Sequence, residues 1–217
     1  MDFGQILRLL AQGAGHTILV TLACILTGLG VGLAVAVLRR LRVRGTAWLV
    51  ETYTYVFRAV PVLVLLFIMF FGLPAIGLKV PPMLSMMLSL GLIAGAYLGE
   101  IFRGAMDALE PQELLAAEAM GLGRWQILVS IELPQMLRLA VPGMLNEFTT
   151  VLKYSPFAYT VGIPEITRQA TALASTTLRG IEIYLAAGLL YFGIFQLLRI
   201  GVRAVEKRFE IPGFGTH

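Results

Sequence analysis

The chain is poor in the residues that build catalytic and metal sites, since it has one cysteine and two histidines in 217 residues. The single cysteine, Cys24, provides neither a disulfide framework nor a thiolate metal cluster. The sequence contains no GxxxxGK[ST] loop to hold nucleotide phosphates, and no HExxH or GxSxG motif. An intramembrane enzyme would need a nucleophile with a base, or metal ligands. We therefore expect no enzymatic activity, no metal and no cofactor in this chain.

Charge is scarce as well. Charged residues make up 14% of the chain, and hydrophobic residues make up 58%. A soluble domain carries about 25% charged residues, so this composition predicts a membrane protein. The formal net charge is +4, but no basic patch is interleaved with aromatic residues. The excess of Lys and Arg therefore indicates membrane topology, and we expect no nucleic-acid partner.

The hydropathy pattern predicts an all-α membrane protein with five transmembrane helices in a single domain, residues 1–217. Each predicted span is long enough to cross a hydrocarbon core of roughly 30 Å. Before the first span, Asp2–Gln12 places apolar residues on one face, as in a short helix that lies in the membrane interface. Between the last two spans, residues 153–180 are expected to form a re-entrant or interfacial segment and an outer helix. The predicted spans are Thr17–Leu38, Trp48–Leu73, Pro82–Gly104, Pro134–Leu152 and Ile181–Ile200.

Basic residues cluster directly after the first and the last predicted spans. Because Lys and Arg concentrate on the cytoplasmic side of membrane proteins, these clusters place the N-terminus outside and the C-terminus in the cytoplasm. The pattern is not unanimous, since some basic residues fall in predicted outer segments. The cytoplasmic clusters are Arg39, Arg40, Arg42 and Arg44, and Arg199, Arg203, Lys207 and Arg208; the outer exceptions are Arg8, Lys79, Lys153, Arg168 and Arg179.

Glycine and proline give two further signals in the first two spans. Gly28 and Gly32 form a GxxxG pair with Gly30 between them, a spacing that lets helices approach closely. Glycine is also common in membrane helices without such a contact, and the sequence leaves both interpretations open. In the second span, Pro61 predicts a bend because proline lacks the N–H that a helix interior requires.

Ionisable residues at membrane depth are costly unless they are paired or face water, so they indicate a transport pathway. Arg58 and Lys153 are suited to bind an α-carboxylate, and the glutamates a cationic group. Glu147 and Lys153 are expected near the outer surface, where a substrate arrives. In the alternative interpretation, Glu51 and Glu100 lie at the lipid headgroups and only pair with neighbouring charges. The candidate pathway residues are Glu51, Arg58, Glu100, Glu147 and Lys153.

A water-facing helical hairpin is predicted between the third and fourth spans, at about residues 107–132. Leu114–Met120 consists of good helix formers, and Gly121 and Gly123 favour a turn. Arg124–Ser130 resumes a helix, and Pro134 opens the fourth span. A helix pair at the cytoplasmic face suits the docking of a protein partner. A hairpin that lies on the lipid surface is an equally good interpretation of these residues alone.

Several motifs resemble one family. The runs AAEAMG at Ala116–Gly121 and IELPQ at Ile131–Gln135 resemble the EAA loop of bacterial ABC importer permeases. Three others, FRAVP at Phe57–Pro61, FGLP at Phe71–Pro74 and AYLGEIFRG at Ala96–Gly104, are similar to its polar amino acid branch, the histidine/glutamine/arginine permease type. The resemblance covers nearly the whole chain, with the motifs in the same order.

This resemblance implies the pore-forming subunit of an ATP-driven importer, which carries polar amino acids or amino-acid-like compounds across the bacterial inner membrane by alternating access. It implies two ATPase subunits that bind ATP and Mg, a second permease subunit and a periplasmic substrate-binding protein, besides membrane lipid. The ATPases are expected to dock on Glu113–Trp125, which makes this segment the coupling helix. The residues expected at that contact are Glu113, Ala116, Ala117, Glu118, Gly121 and Trp125.

The chain also departs from the family pattern. Leu115 stands where the EAA loop has its glutamate, so Glu113 or Glu118 is expected to supply the polar contact. Leu65 replaces a frequent glutamine, and KYSPF at Lys153–Phe157 replaces KDTSL. These changes favour a heterodimer, in which the second permease keeps fuller motifs, over a homodimer. The alternative function is a stand-alone channel or secondary transporter subunit, which would show an inverted internal repeat that this sequence lacks.

Overall fold

The computed structural model describes the backbone of residues 1–42 and 45–209, and their side chains up to residue 204. Within these residues the chain is helical and contains no β-strand, which confirms the all-α prediction. Arg44 and the side chains of Lys207 and Arg208, expected to mark the cytoplasmic side, lie outside the described part. In chain order the helices are α1 Phe3–Ala11, α2 Ala14–Arg40, α3 Ala47–Ala59, α4 Val62–Ile76, α5 Pro82–Asp107, α6 Pro111–Ala119, α7 Arg124–Val161, α8 Ile166–Thr177 and α9 Gly180–Phe209.

Four of these helices, α2, α5, α7 and α9, are long and apolar enough to cross a membrane, and α3 with α4 forms a broken pair bent by 106°. The break falls where the sequence predicts a bend. Pro61 pushes the preceding residue, Val60, into an extended conformation with ψ at 130°. Pro61 also cannot donate a hydrogen bond to α3, so α4 starts anew at Val62. With the broken pair counted as one span, the prediction of five spans is confirmed.

The helices α2 and α5 pack along a seam of glycines. A Cβ atom on Gly32 would lie 2.8 Å from the Leu98 Cβ atom, and one on Gly28 would lie 2.9 Å from the Ala94 Cβ atom. The GxxxG pair is therefore a close helix contact, whereas Gly30 has open space around it. Helix α5 contributes glycines at the same spacing, which the sequence analysis missed. These are Gly91, Gly95 and Gly99, whose added Cβ atoms would lie within 3.0 Å of Thr27, Val31 and Val35.

A smaller apolar core joins α1 and α8 to the first turns of α9. Ile6 and Leu10 of α1 are 1% and 0% exposed and share this core with Ile166 of α8. The apolar face predicted for α1 is correct, but protein side chains cover it. We call this core the α1/α8/α9 cluster; its members are Ile6, Leu10, Ile166, Ala170, Ile183, Ala186 and Ala187.

The other end of the bundle is rich in charged side chains, and we call it the basic end. Helix α2 ends there at Arg39 and Arg40, and α9 carries Arg199 and Arg203 toward it. Helix α6 lies at this end too, between the last residue of α5 and the first residue of α7.

One predicted boundary is wrong. The sequence predicts a hairpin helix and then a new span from Pro134, but α7 runs unbroken from Arg124 to Val161. A π turn at Leu128–Glu132 lets the helix pass the proline, since the Leu133 N–H donates to the carbonyl five residues back. This turn shifts the hydrogen-bond register just before Pro134, so the missing N–H does not end the helix. The hairpin is therefore one short helix, α6, joined to the base of a long one.

Candidate functional site

The short helix α6 stands at the basic end with both of its ends defined by local sequence. Pro111 occupies its first turn, where a missing N–H is harmless because first-turn N–H groups have no helical partner. At the other end Gly121 adopts φ +82°, a left-handed conformation that favours glycine. The N–H groups of Gly121 and Leu122 donate to the carbonyls of Glu118 and Ala117, at 2.9 and 3.1 Å. This Schellman turn reverses the chain into α7.

Large apolar side chains project from α6, from its turn and from the start of α7. Leu115 is 63% exposed, Met120 is 82% exposed and Trp125 is 60% exposed. Ala117 is buried and seats α6 against the bundle, so it is not on the exposed surface. Exposed apolar side chains that lie so close in the chain indicate a surface that contacts either another protein or the membrane. The other residues expected at that contact are exposed: Glu113, Ala116, Glu118, Gly121 and Trp125.

The two glutamates expected to substitute for Leu115 have different surroundings. Gln135 Nε2 donates to Glu113 Oε2 at 2.8 Å, so Glu113 ties α6 to α7. Glu118 instead lines a cavity of about 210 Å³ together with Arg40 and Arg124. Glu118 is therefore the better placed of the two to meet a partner.

Glu51 and Glu100 lie in a layer of charged side chains at the basic end. Glu100 accepts hydrogen bonds from Arg39 of α2 and from Arg103, whose Nε lies at 3.1 Å. Arg103 also pairs with Asp107 at 2.7 Å. Glu51 lines a second cavity, of about 510 Å³, together with Arg39 and Arg103. For both glutamates the geometry supports the alternative interpretation, a place among charges at headgroup level.

Deeper in the bundle, Arg58 of α3 faces an aromatic ring of α5. The guanidinium carbon of Arg58 lies 5.1 Å from the centre of the Tyr97 ring, which is a cation–π distance. Both side chains are exposed within this chain. Arg58 is therefore oriented by Tyr97 and still open to a further ligand.

Glu147 lies at the same depth, and not near the outer surface as the sequence predicts. It is 7% exposed and shares one face of α7 with Gly143. A Cβ atom on Gly143 would lie 2.7 Å from the Ile101 Cγ2 atom of α5. Helices α5 and α7 run antiparallel. Glu147 follows Gly143 by one helical turn, and Tyr97 precedes Ile101 by one turn, so Glu147 and Tyr97 lie at the same level. The structure thus brings Arg58 and Glu147 to one level, whereas exposed Lys153 lies about 9 Å further along α7.

Glu165 is a buried carboxylate that the sequence analysis missed. It precedes α8, is 0% exposed, and accepts from the N–H groups of Thr167 and Arg168 at 2.8 and 2.7 Å. The Tyr191 hydroxyl of α9 donates to it as well. Burial raises the pKa of Glu165, and these hydrogen bonds act in the opposite direction. An acidic residue directly before a helix is the signal that identifies it.

Comparison with known proteins settles the family. A family model described as "Binding-protein-dependent transport system inner membrane component" matches residues 11–211. The chain belongs to this family. The permease is 32% identical over 206 residues to the probable amino-acid permease protein YxeN of Bacillus subtilis, with 94% of this chain and 92% of that protein covered. Its identity to the glutamine transport system permease protein GlnP of Escherichia coli is 28% over 209 residues, with 94% of each covered.

Solved structures agree with this assignment. The permease matches a crystal structure of an amino acid ABC transporter with histidines at a TM-score of 0.85 and 26% identity, covering 96% of this chain and 99% of that chain. An inward-facing MetNI methionine ABC transporter gives a TM-score of 0.80 at 19% identity, with 97% and 100% covered, which shows the fold alone. The resemblance carried by the EAA-like run and the permease fold predicted from it are both confirmed.

Proposed function

We propose that this permease forms half of the translocation pore of an ATP-driven importer for polar amino acids or amino-acid-like compounds. The observation that carries the proposal is the α6 hairpin, which holds Leu115, Met120 and Trp125 exposed at one end of an apolar bundle. Helix α6 contains Glu113 and Glu118 and no basic residue. Because the cytoplasmic lipid surface is anionic and attracts basic helices, this composition favours docking of a protein over a lipid-lying hairpin.

The proposal places the basic end in the cytoplasm, with the N-terminus outside and the C-terminus inside. Arg39, Arg40 and Arg42 support this orientation, since arginines beyond a span mark the cytoplasmic side. Helix α6 then faces the compartment that contains ATP. Two ATPase subunits, one on each permease, bind ATP and Mg and dock on the exposed hairpin. Glu118 supplies the polar contact that Leu115 lacks.

The pathway runs beside α3, α5 and α7, at the level of Arg58 and Glu147. A free amino acid carries a carboxylate and an ammonium group. The Arg58 guanidinium is suited to the carboxylate, and the buried Glu147 carboxylate to the ammonium. A charge at this depth is costly without a partner, and a zwitterion supplies one to each residue. This arrangement supports an amino acid as the substrate class, without choosing among side chains.

Two further partners complete the importer. A second permease closes the pore on the sides that this chain leaves open, and we propose a heterodimer because Leu115 and KYSPF depart from the fuller family motifs. A periplasmic binding protein delivers the amino acid at the end opposite α6. The family description, a component of a binding-protein-dependent system, supports this partner.

The test is amino acid uptake by the reconstituted complex. Gly121→Val forces a β-branched residue into φ +82° and is expected to abolish ATP-driven uptake, because it deforms the turn that aims α6. The matched control is Gly123→Val in the same turn, where φ −73° and ψ 156° suit valine.

Two outcomes contradict the proposal. Full uptake by Gly121→Val with normal ATPase binding would exclude coupling through α6. Flux through the permease without any ATPase would favour the channel or secondary-transporter alternative.

A further inference from the structure

Arg40, the last residue of α2, forms an ion pair with Glu132 in the π turn of α7. Arg40 Nε donates to Glu132 Oε1 at 2.7 Å, and Arg40 Nη2 donates to the same oxygen. The two residues are 92 positions apart, so the pair links separate spans. The Glu132 side chain is 6% exposed and the Arg40 side chain 33%. Removal of Arg40 would leave a buried carboxylate without its partner, which is strongly unfavourable.

Glu132 lies at the joint where the hairpin passes into the membrane span. It is the last residue of the π turn Leu128–Glu132, and it lies about 12 Å along α7 from Arg124. A π turn contains an extra residue and is less favourable than an α turn, and such turns are frequent at functional sites. The ion pair therefore contacts α7 at its π turn, where the hydrogen-bond pattern of the helix is already irregular.

The pair connects parts of the permease that differ in stiffness. Helix α2 is fixed to α5 by the glycine seam at Gly28 and Gly32. Helix α6, in contrast, is separated from the end of α2 by the cavity of about 210 Å³, which Leu114 of α6 lines. Arg40 and Glu132 line the same cavity. They form a direct tie between α2 and the base of α7, beside a space into which α6 can move.

We propose that Arg40 and Glu132 are a positioning pair that transmits movement of the coupling helix α6 to the pathway. With the pair intact, a displacement of α6 turns α7 about Glu132 as a fixed point. Glu147 lies about 22 Å further along the same helix, so it moves with α7. Without the pair, α7 slips at its π turn and the displacement is absorbed there. The inference rests on the proposed function, because it requires ATPases that displace α6.

The test uses the complete importer in proteoliposomes, with the binding protein loaded from a mixture of the standard amino acids. The measured quantity is the stimulation ratio, the ATPase activity with the loaded binding protein divided by the activity without it. Glu132→Gln and Arg40→Gln are each expected to lower this ratio about tenfold, an ordinary strength of coupling between sites, while basal ATPase activity stays unchanged. The control is Glu182→Gln, which breaks an exposed ion pair with Arg179 far from α6 and should leave the ratio unchanged.

Exchange of the two charges separates positioning from a purely structural role. The double variant Arg40→Glu with Glu132→Arg restores an ion pair and is expected to recover most of the stimulation ratio. Arg40→Lys keeps the positive charge without the guanidinium fork and should give an intermediate stimulation ratio. If the neutral variants fail to assemble, this variant alone tests the positioning role.

The results that overturn the inference are specific. Wild-type stimulation in Glu132→Gln, or in Arg40→Lys if only that variant assembles, excludes the positioning role. An exchanged pair that performs no better than the single variants excludes it as well. If the wild-type importer shows no stimulation by its binding protein, the proposed function fails instead.

Discussion

The two ends of the bundle are built from different interactions. In the α1/α8/α9 cluster the contacts are apolar, and Ile6, Leu10 and Ile166 are at most 1% exposed. At the basic end, ion pairs such as Arg40–Glu132 and Arg39–Glu100 join the helices. Cavities of about 210 and 510 Å³ lie among these charged side chains.

The difference shows which end is suited to move. Closely packed apolar side chains resist displacement, because any gap between them forfeits dispersion contacts. Side chains that pair across a cavity can change their angle without opening such gaps. Helix α6, the proposed coupling helix, is attached at this second end. We infer that the cluster around α1 serves as a fixed frame, and under the proposed function the basic end moves against this frame when the ATPases act.

The largest expected effect tests the rigidity of the frame at Gly13, between α1 and α2. A Cβ atom on Gly13 would lie 2.6 Å from the Ile166 nitrogen and 2.7 Å from the Glu165 carbonyl carbon, and backbone atoms cannot swing aside. Gly13→Ala is therefore expected to lower the free energy of unfolding by at least about 1–3 kcal/mol. Thermal unfolding of the purified permease in detergent measures it. Gly15→Ala is the control, because a Cβ atom there meets nothing within 4 Å; equal melting temperatures would mean that the α1–α8 contact is loose.

A second prediction concerns the surface of the basic end. Trp125 is 60% exposed, so Trp125→Ala should change the stability of the permease by less than about 0.5 kcal/mol. Its affinity for the ATPase should fall about 30-fold, because buried tryptophans at an interface commonly contribute 2 kcal/mol or more.

The chain offers a matched control in its other tryptophan. Trp48 is 70% exposed and lies at the start of α3, which is a different helix from those that form the hairpin. Trp48→Ala should leave ATPase affinity unchanged in a pull-down titration. Equal losses from both substitutions would contradict a docking surface centred on α6.

Much of the fold followed from local patterns. Long apolar runs identified the spans, Pro61 located the break between α3 and α4, and Gly121 located the turn after α6. These features depend on residues close in the chain, which sequence patterns report directly. The wrong boundary at Pro134 has the same origin. A proline at this position locally indicates the start of a helix, and only the π turn at Leu128–Glu132 allows α7 to continue through it.

The site depended more on contacts between distant residues. Arg40 is a topology marker in the sequence, and nothing local indicates Glu132 as its partner 92 positions away. Glu147 was expected near the outer surface because it falls close to the predicted end of its span. Its actual depth is set by the contact of Gly143 with Ile101, which the sequence does not report. Helix register across a bundle leaves little trace in a single sequence. The ion pair, and the shared level of Arg58 and Glu147 on which the proposed pathway rests, therefore emerged only from the structure.

The smallest expected effect separates the two ends by pH. Burial raises the pKa of Glu165 in the folded protein, although Tyr191 and the N–H groups of Thr167 and Arg168 oppose that rise. The folded state then binds the proton more tightly than the unfolded state. Its stabilisation is complete below the unfolded pKa of about 4.3 and is lost as pH rises through the folded value.

The melting temperature of the wild-type permease should therefore include a component that falls over this pH range, and Glu165→Gln should remove it. The difference between the two plots of melting temperature against pH gives the contribution of Glu165, because every other titrating group is common to both proteins. An unchanged slope in Glu165→Gln would show that its hydrogen bonds offset the effect of burial, and a slope changed in the opposite direction would show that they outweigh it. Either result would contradict the prediction.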